Sequence, residues 1–165
     1  MRFEIPFYVQ GVNECGPVTL QMVLEFLGEK HGKEEIKTLI NSESTGATMT
    51  IGIANAAAKL GFKTEFFSTC LGFNPEHFEL DFYKKVTDGA RKVEKKIHRL
   101  RQECVNNGVI MQEKSITLED IKKKINKDCM AFILLDWGKI IGKPYIGHFV
   151  PIVGYDEKNI YVHNH

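Results

Sequence analysis

Cys15-Gly16-Pro17-Val18-Thr19-Leu20-Gln21-Met22-Val23-Leu24-Glu25-Phe26-Leu27-Gly28 is the stretch whose reading decides the fold of this chain. Pro17 marks a helix start, and Val18, Leu20, Val23, Leu24 and Leu27 then recur with a helical period until Gly28 supplies a stop. Cys15 therefore sits where unpaired backbone N–H groups and the positive end of the helix dipole converge. An isolated thiol titrates near about 8.5, and a helix N-terminus with a neighbouring imidazole is able to lower that value. The placement makes Cys15 a candidate nucleophile, with Gln10 just upstream.

Outward from this helix, Phe3, Ile5, Phe7 and Val9 alternate as an entry strand, and Lys33 to Ile40 reads as a second helix followed by a polar loop from Asn41 to Thr48. A third helix is expected from Thr50, a good N-cap, to Gly61, then a strand over Phe62 to Phe67 and a turn at Phe73-Asn74-Pro75. Phe82, Val86, Ala90, Val93, Ile97, Leu100 and Cys104 keep one helical period, so Glu79 to Cys104 reads as a single long helix closed by Asn106-Asn107-Gly108. Thr117 and Asp120 stand in capping-box spacing ahead of a helix that reaches Asn126.

The continuous apolar run Cys129 to Leu135 reads as a covered strand, and Gly147 to Tyr155 with Ile160 to His165 reads as a hairpin turning at Asp156 to Asn159. Helices first and an antiparallel sheet later describe an α+β class. No repeat or linker divides the chain, so residues 1–165 are expected to form a single domain.

Composition narrows the partners. Hydrophobic residues make up 43% and charged residues 26%, with a net charge of +1, which is ordinary for a globular chain and excludes a globally basic nucleic-acid binder. No apolar run reaches the roughly 18 residues of a membrane span. The four cysteines form no C-x-x-C pair and no signal-like apolar stretch opens the chain, so the thiols are read as reduced in a cytoplasmic protein. Cys70, Cys104 and Cys129 are read as core residues. The segment Lys84 to Arg101 carries eight Lys or Arg residues and is read as a solvated helix face. Trp137 and Tyr145 either line a groove ahead of His148 or cap the core.

His148 opens the first hairpin strand and Asn164 closes the second, so the turn brings them nearly opposite each other. A Cys on a helix, a His on a strand and an Asn acceptor are the parts of a thiol triad in which the third group holds the imidazole tautomer. Gln10 would serve as an oxyanion donor. A register slip of one residue would present His163 or His165 in place of Asn164. No Cys or acidic set accompanies those histidines at zinc spacing, so no metal and no cofactor is expected.

The segments Tyr8-Val9-Gln10, Asn13-Glu14-Cys15-Gly16-Pro17, Leu60-Gly61-Phe62, Gly147-His148-Phe149-Val150, Val153-Gly154-Tyr155-Asp156 and Val162-His163-Asn164 resemble the papain-like cysteine peptidases that cut double-glycine leader peptides in bacteriocin exporters. The resemblance implies a papain-like fold, with N-terminal helices packed on a C-terminal antiparallel sheet. It implies Cys15 as nucleophile, His148 as general base and acid, Asn164 as orienter and Gln10 as oxyanion-hole donor. That family carries Asp followed by Pro where this chain has Asn164 and His165, and the region around 79–107 looks like a helical insertion. The expected function is peptide-bond hydrolysis on a peptide or protein substrate. The alternatives are a catalytically silent peptide-binding module and a thiol acyltransferase or deamidase using the same site.

Overall fold

Helix α1 (Cys15–Phe26) is buried over nearly its whole girth, from Gly16 through Leu20 and again at Met22, Val23 and Leu24. Pro17 lies in its first turn, where a missing N–H has no intrahelical acceptor to lose. The computed structural model describes residues Met1–His165. After α1 come α2 (Lys33–Ile40), α3 (Thr50–Lys59), β1 (Glu65–Ser68), a 3₁₀ turn (Pro75–Glu79), α4 (Asp81–Val86), α5 (Ala90–Asn106) and β2 (Ile110–Glu113). Then follow α6 (Leu118–Lys124), β3 (Phe132–Asp136), α7 (Trp137–Ile140), β4 (Gly147–Tyr155) and β5 (Ile160–Val162). The chain is α+β, with seven α-helices and two small sheets. It divides into two compact units, Met1–Ile36 with Ile116–His165, and Lys37–Ser115.

In the first unit α1 packs on β4, the central strand of an antiparallel sheet ordered β3-β4-β5. Every residue of β4 from His148 to Gly154 is buried. Val18 and Met22 of α1 meet Ile5 and Val153, while Ile152 packs with Ile121 and Ile125 at α6. The expected capping box forms as read: Thr117 Oγ1 accepts from the Asp120 amide at 3.2 Å, and the Thr117 amide donates to Asp120 Oδ2 at 3.0 Å.

Pro151 sits in the middle of this strand and has no N–H to donate. The Ile152 amide donates to Ala131 O on the β3 side, so residue 151 turns toward β5, where its carbonyl accepts from the His163 amide at 3.3 Å with no reciprocal bond. The ladder stops there, and β5 ends at Val162 rather than running to His165. The expected entry strand over residues 3–9 does not form either. The N-terminus lies along the far end of β4 instead: the Met1 ammonium donates to Tyr155 O at 2.6 Å, the Tyr155 amide to Met1 O, and the Phe3 amide to Val153 O.

In the second unit β1 and β2 pair in parallel, a geometry that needs a crossover, and the helical region between them supplies it. Ile51 and Ala54 of α3 pack against Leu100 and Cys104 of α5. Asn55 is fully buried and satisfied, donating to Glu103 Oε2 at 2.7 Å and accepting from Asn107 Nδ2 at 2.9 Å. The single helix expected over Glu79 to Cys104 is broken, because Thr87 is extended and Gly89 takes φ 95° before α5 begins. Cys104 is buried as read, Cys70 is half-buried, and Cys129 is exposed.

Gly154 permits the close approach of the N-terminal strap, since a Cβ there would lie 2.6 Å from Met1 O and 2.9 Å from Arg2 Cδ. Gly154→Ala is expected to destabilise the chain by about 1–3 kcal/mol through that overlap, measured as a lowered midpoint in urea unfolding. Wild-type stability in the variant would show that the strap gives way freely.

Candidate functional site

The site lies within the unit built on β4. Cys15 is the first residue of α1, and Glu14 before it supplies no side-chain cap. Glu14 instead accepts from the Gly11 amide at 3.0 Å and from Lys33 Nζ at 2.6 Å, which holds the turn ahead of the helix. Burial pushes the Cys15 thiol above its ordinary value, against backbone hydrogen bonds from Phe149 and Gly16 that favour the thiolate. Desolvation thus outweighs the helix terminus, the reverse of the direction expected from sequence. At neutral pH the group is a thiol.

His148 is 7% exposed, pairs with Leu135 of β3, and brings its Nε2 to 3.2 Å from Asn164 Oδ1. An amide oxygen only accepts, so Nε2 carries the proton and Nδ1 presents its lone pair. Burial pushes the His148 pKa down, a charge on His165 would push it further, and the bond to Asn164 raises it. The imidazole is neutral at pH 7.

The truncated ladder at Pro151 explains why both parities of the last residues reach this ring. Asn164 bonds to it, and the ring of His165 lies 5.5 Å from it, centroid to centroid. His165 Nε2 stands 3.3 Å from both Cys15 O and Thr19 Oγ1, and the Thr19 hydroxyl donates to Phe149 O at 3.2 Å. Thr19 is fully buried, so its hydroxyl ties α1, β4 and the terminal residues into one network. Trp137 packs edge-on against His148 at 5.6 Å, and Phe7 edge-on against His163 at 5.3 Å.

Cys15, His148 and Asn164 are thus brought to one region, the first through its hydrogen bond from the Phe149 backbone and the last by direct contact. Gln10 keeps its Oε1 buried without a hydrogen-bond partner, and so does His163 Nδ1. The unfilled capacity at Gln10 is its acceptor oxygen, a separate group from the amide nitrogen that an oxyanion donor would use. Thr19 was not singled out, its one available signal being a hydroxyl on the apolar face of a helix, and His165 was named only as what a register slip would present in place of Asn164. No group of three or more His, Cys, Asp or Glu side chains is arranged to hold a metal ion. No helix is long and apolar enough to cross a membrane.

Residues 5–165 match the family model described as Guanylylate cyclase. No solved structure matches the chain. The family match corrects the resemblance to bacteriocin-processing papain-like cysteine peptidases, and with it the expected thiol-protease and hydrolase activity. The silent module and the acyltransferase or deamidase find no better support, and the peptide substrate rested on the same assignment. The physical reason for the error is that a Cys-Gly-Pro helix start and a Gly-His strand are short local solutions. They place a thiol and an imidazole without specifying the reaction.

His148, His163 and His165 all have pKa values lowered, each with burial as the first cause. A histidine whose folded pKa lies below its unfolded value stabilises the fold above the unfolded value, near about 6.5, and that stability is lost as pH falls through the folded value. Glu29 and Glu35 hold His31 above its ordinary value, the opposite sign, so in a His31→Gln background thermal unfolding midpoints should drop between about pH 7 and about pH 5, and His165→Ala should raise the His148 titration midpoint followed by imidazole NMR. Flat midpoints across that range would contradict buried neutral imidazoles.

Proposed function

The chain belongs to the guanylylate cyclase family, and we propose that it converts guanosine triphosphate to its 3′,5′-cyclic monophosphate. In that reaction the ribose 3′-oxygen bonds to the α-phosphorus, the bond from the α-phosphorus to the bridging oxygen breaks, and pyrophosphate departs. The observation that carries the reading is the family match across residues 5–165, which includes both ends of the chain where the candidate site residues lie.

The chemistry of the site supports the assignment. The nucleophile of a cyclisation belongs to the substrate, so the protein must supply a proton acceptor rather than a reactive thiol. A buried imidazole held neutral, with Nε2 committed to Asn164, offers Nδ1 for the 3′-hydroxyl proton. Asn164 is then a positioning residue. Cys15, protonated by burial, acts as a weak neutral donor, and the unpaired Gln10 Oε1 accepts an N–H of the substrate. Topologically, α1 seated on the β4 sheet supports a papain-like layout for this unit, taken as geometry alone. The family match across both units supports a single functional domain over 1–165, with an insertion around 79–107. Four free cysteines support a cytoplasmic setting.

Incubating the full chain with guanosine triphosphate and magnesium should yield cyclic monophosphate and pyrophosphate in equal amounts, read by mass spectrometry and a pyrophosphate assay. His148→Ala should lower the rate by about 10²-fold or more. The rate should fall on the acid side with a midpoint below the ordinary histidine value. Asn164→Leu should move that midpoint lower, because the lost bond is one that raises it. No cyclic product, or an unaffected His148→Ala, would overturn the proposal.

A further inference from the structure

Between β3 and β4 the chain turns through α7 and the residues after it, and two adjacent isoleucines stand at the tip. Ile140 is 59% exposed and Ile141 43%. Single exposed apolar residues are ordinary on a protein surface, but this pair is flanked by Lys139 and Lys143, both exposed. Asp136 is the only acidic residue from Cys129 to Tyr155. Its Oδ1 accepts from the amides of Lys139 at 3.1 Å and Ile146 at 3.5 Å. No acidic side chain forms an ion pair with either lysine. The tip is therefore apolar at its centre and cationic on both flanks.

The loop is held in shape from below. The Trp137 amide donates to Ile146 O at 2.8 Å, the Ile141 amide to Trp137 O at 3.2 Å, and the Lys143 amide to Gly138 O at 2.8 Å. A Cβ on Gly138 would lie 1.9 Å from Pro144 O, so the two arms of the loop touch there. Gly142 takes φ 68°, a left-handed turn that follows Ile141 directly. At the base, Trp137 packs edge-on against His148. A tip already fixed in this way loses little conformational entropy when it docks.

We propose that this tip docks the chain on the surface of an anionic phospholipid bilayer, with Ile140 and Ile141 entering the acyl boundary and Lys139 and Lys143 meeting the headgroup phosphates. A short apolar projection with flanking cations matches a surface that is negative at its outer layer and apolar just beneath. The lysine stems can lie along the interface while their ammonium groups stay with the headgroups. A second copy of the chain fits less well. Two isoleucines fall far short of the roughly 800 Å² per partner of a standard interface. A two-fold contact centred on them would also gather the lysines of both copies, with the one carboxylate of each loop already spent on two amides. Docking here needs no nucleotide and stands or falls apart from the cyclisation.

Trp137 is the only tryptophan of the chain and lies at the base of the tip, where it reports on docking. Adding vesicles of equimolar phosphatidylcholine and phosphatidylserine to the full chain should shift its emission to the blue, and flotation should recover the protein with the vesicles. Vesicles of phosphatidylcholine alone should bind about tenfold more weakly or worse, because each lysine at an anionic surface contributes about a fivefold factor. Lys139→Gln with Lys143→Gln should weaken binding to the mixed vesicles about tenfold and leave binding to phosphatidylcholine alone within about twofold. Ile140→Ser with Ile141→Ser should weaken binding to the mixed vesicles about tenfold or more, with unchanged circular dichroism. Ile110→Ser with Leu118→Ser removes apolar side chains of similar exposure elsewhere and should weaken it less than about twofold. Absent binding to the mixed vesicles, equal weakening by the two apolar double variants, or an isoleucine-dependent dimer in sedimentation equilibrium without vesicle binding would overturn the assignment.

Discussion

The seating of α1 on β4 is the constraint from which the candidate site follows. A helix buried on almost every side cannot rotate or slide without exposing apolar surface, at about 25 cal/mol per Å². The Thr19 hydroxyl adds direction to that packing by donating to Phe149 O. With helix and strand locked together, the helix terminus at Cys15 and the imidazole of His148 have nowhere else to go. Burial then decides their protonation states, a neutral thiol and a neutral ring, before any substrate arrives.

Much of the unit around β4 was legible because its signals are local and strong. The α2 and β4 bounds match the sequence reading, α1 begins at Cys15, and the Thr117 capping box is present. Legibility failed where a distant residue overruled a local pattern. The apolar period from Phe82 to Cys104 runs straight through Gly89, so nothing in the period announces the break between α4 and α5. Strand β2 is short and finds its parallel partner β1 across the intervening helices, a pairing that local alternation does not encode. Pro151 was visible all along, and its missing N–H accounts for the early end of β5.

The candidate residues illustrate a separate limit. Position and spacing were enough to bring His148 and Asn164 within hydrogen-bond reach. The same features did not identify the chemistry, because a thiol, an imidazole and an amide are parts shared by many reactions. The family match over residues 5–165 carries that information, spread along the chain rather than concentrated in a motif. The direction of the Cys15 shift is consistent with that outcome: a helix terminus favours a thiolate, yet depth of burial dominates here.

The unit holding α1 and β4 is discontinuous, composed of Met1–Ile36 and Ile116–His165 with the other unit between them. Thr19 and Phe149 are separated by 130 positions. On a ribosome, where chains emerge N-terminus first, the most apolar helix of the protein appears long before its sheet exists. Residues 37–115 are complete first and their α3–α5 core can close while α1 is still unpaired. Vectorial synthesis therefore leaves the apolar face of α1 without its partner strand until β4 is made.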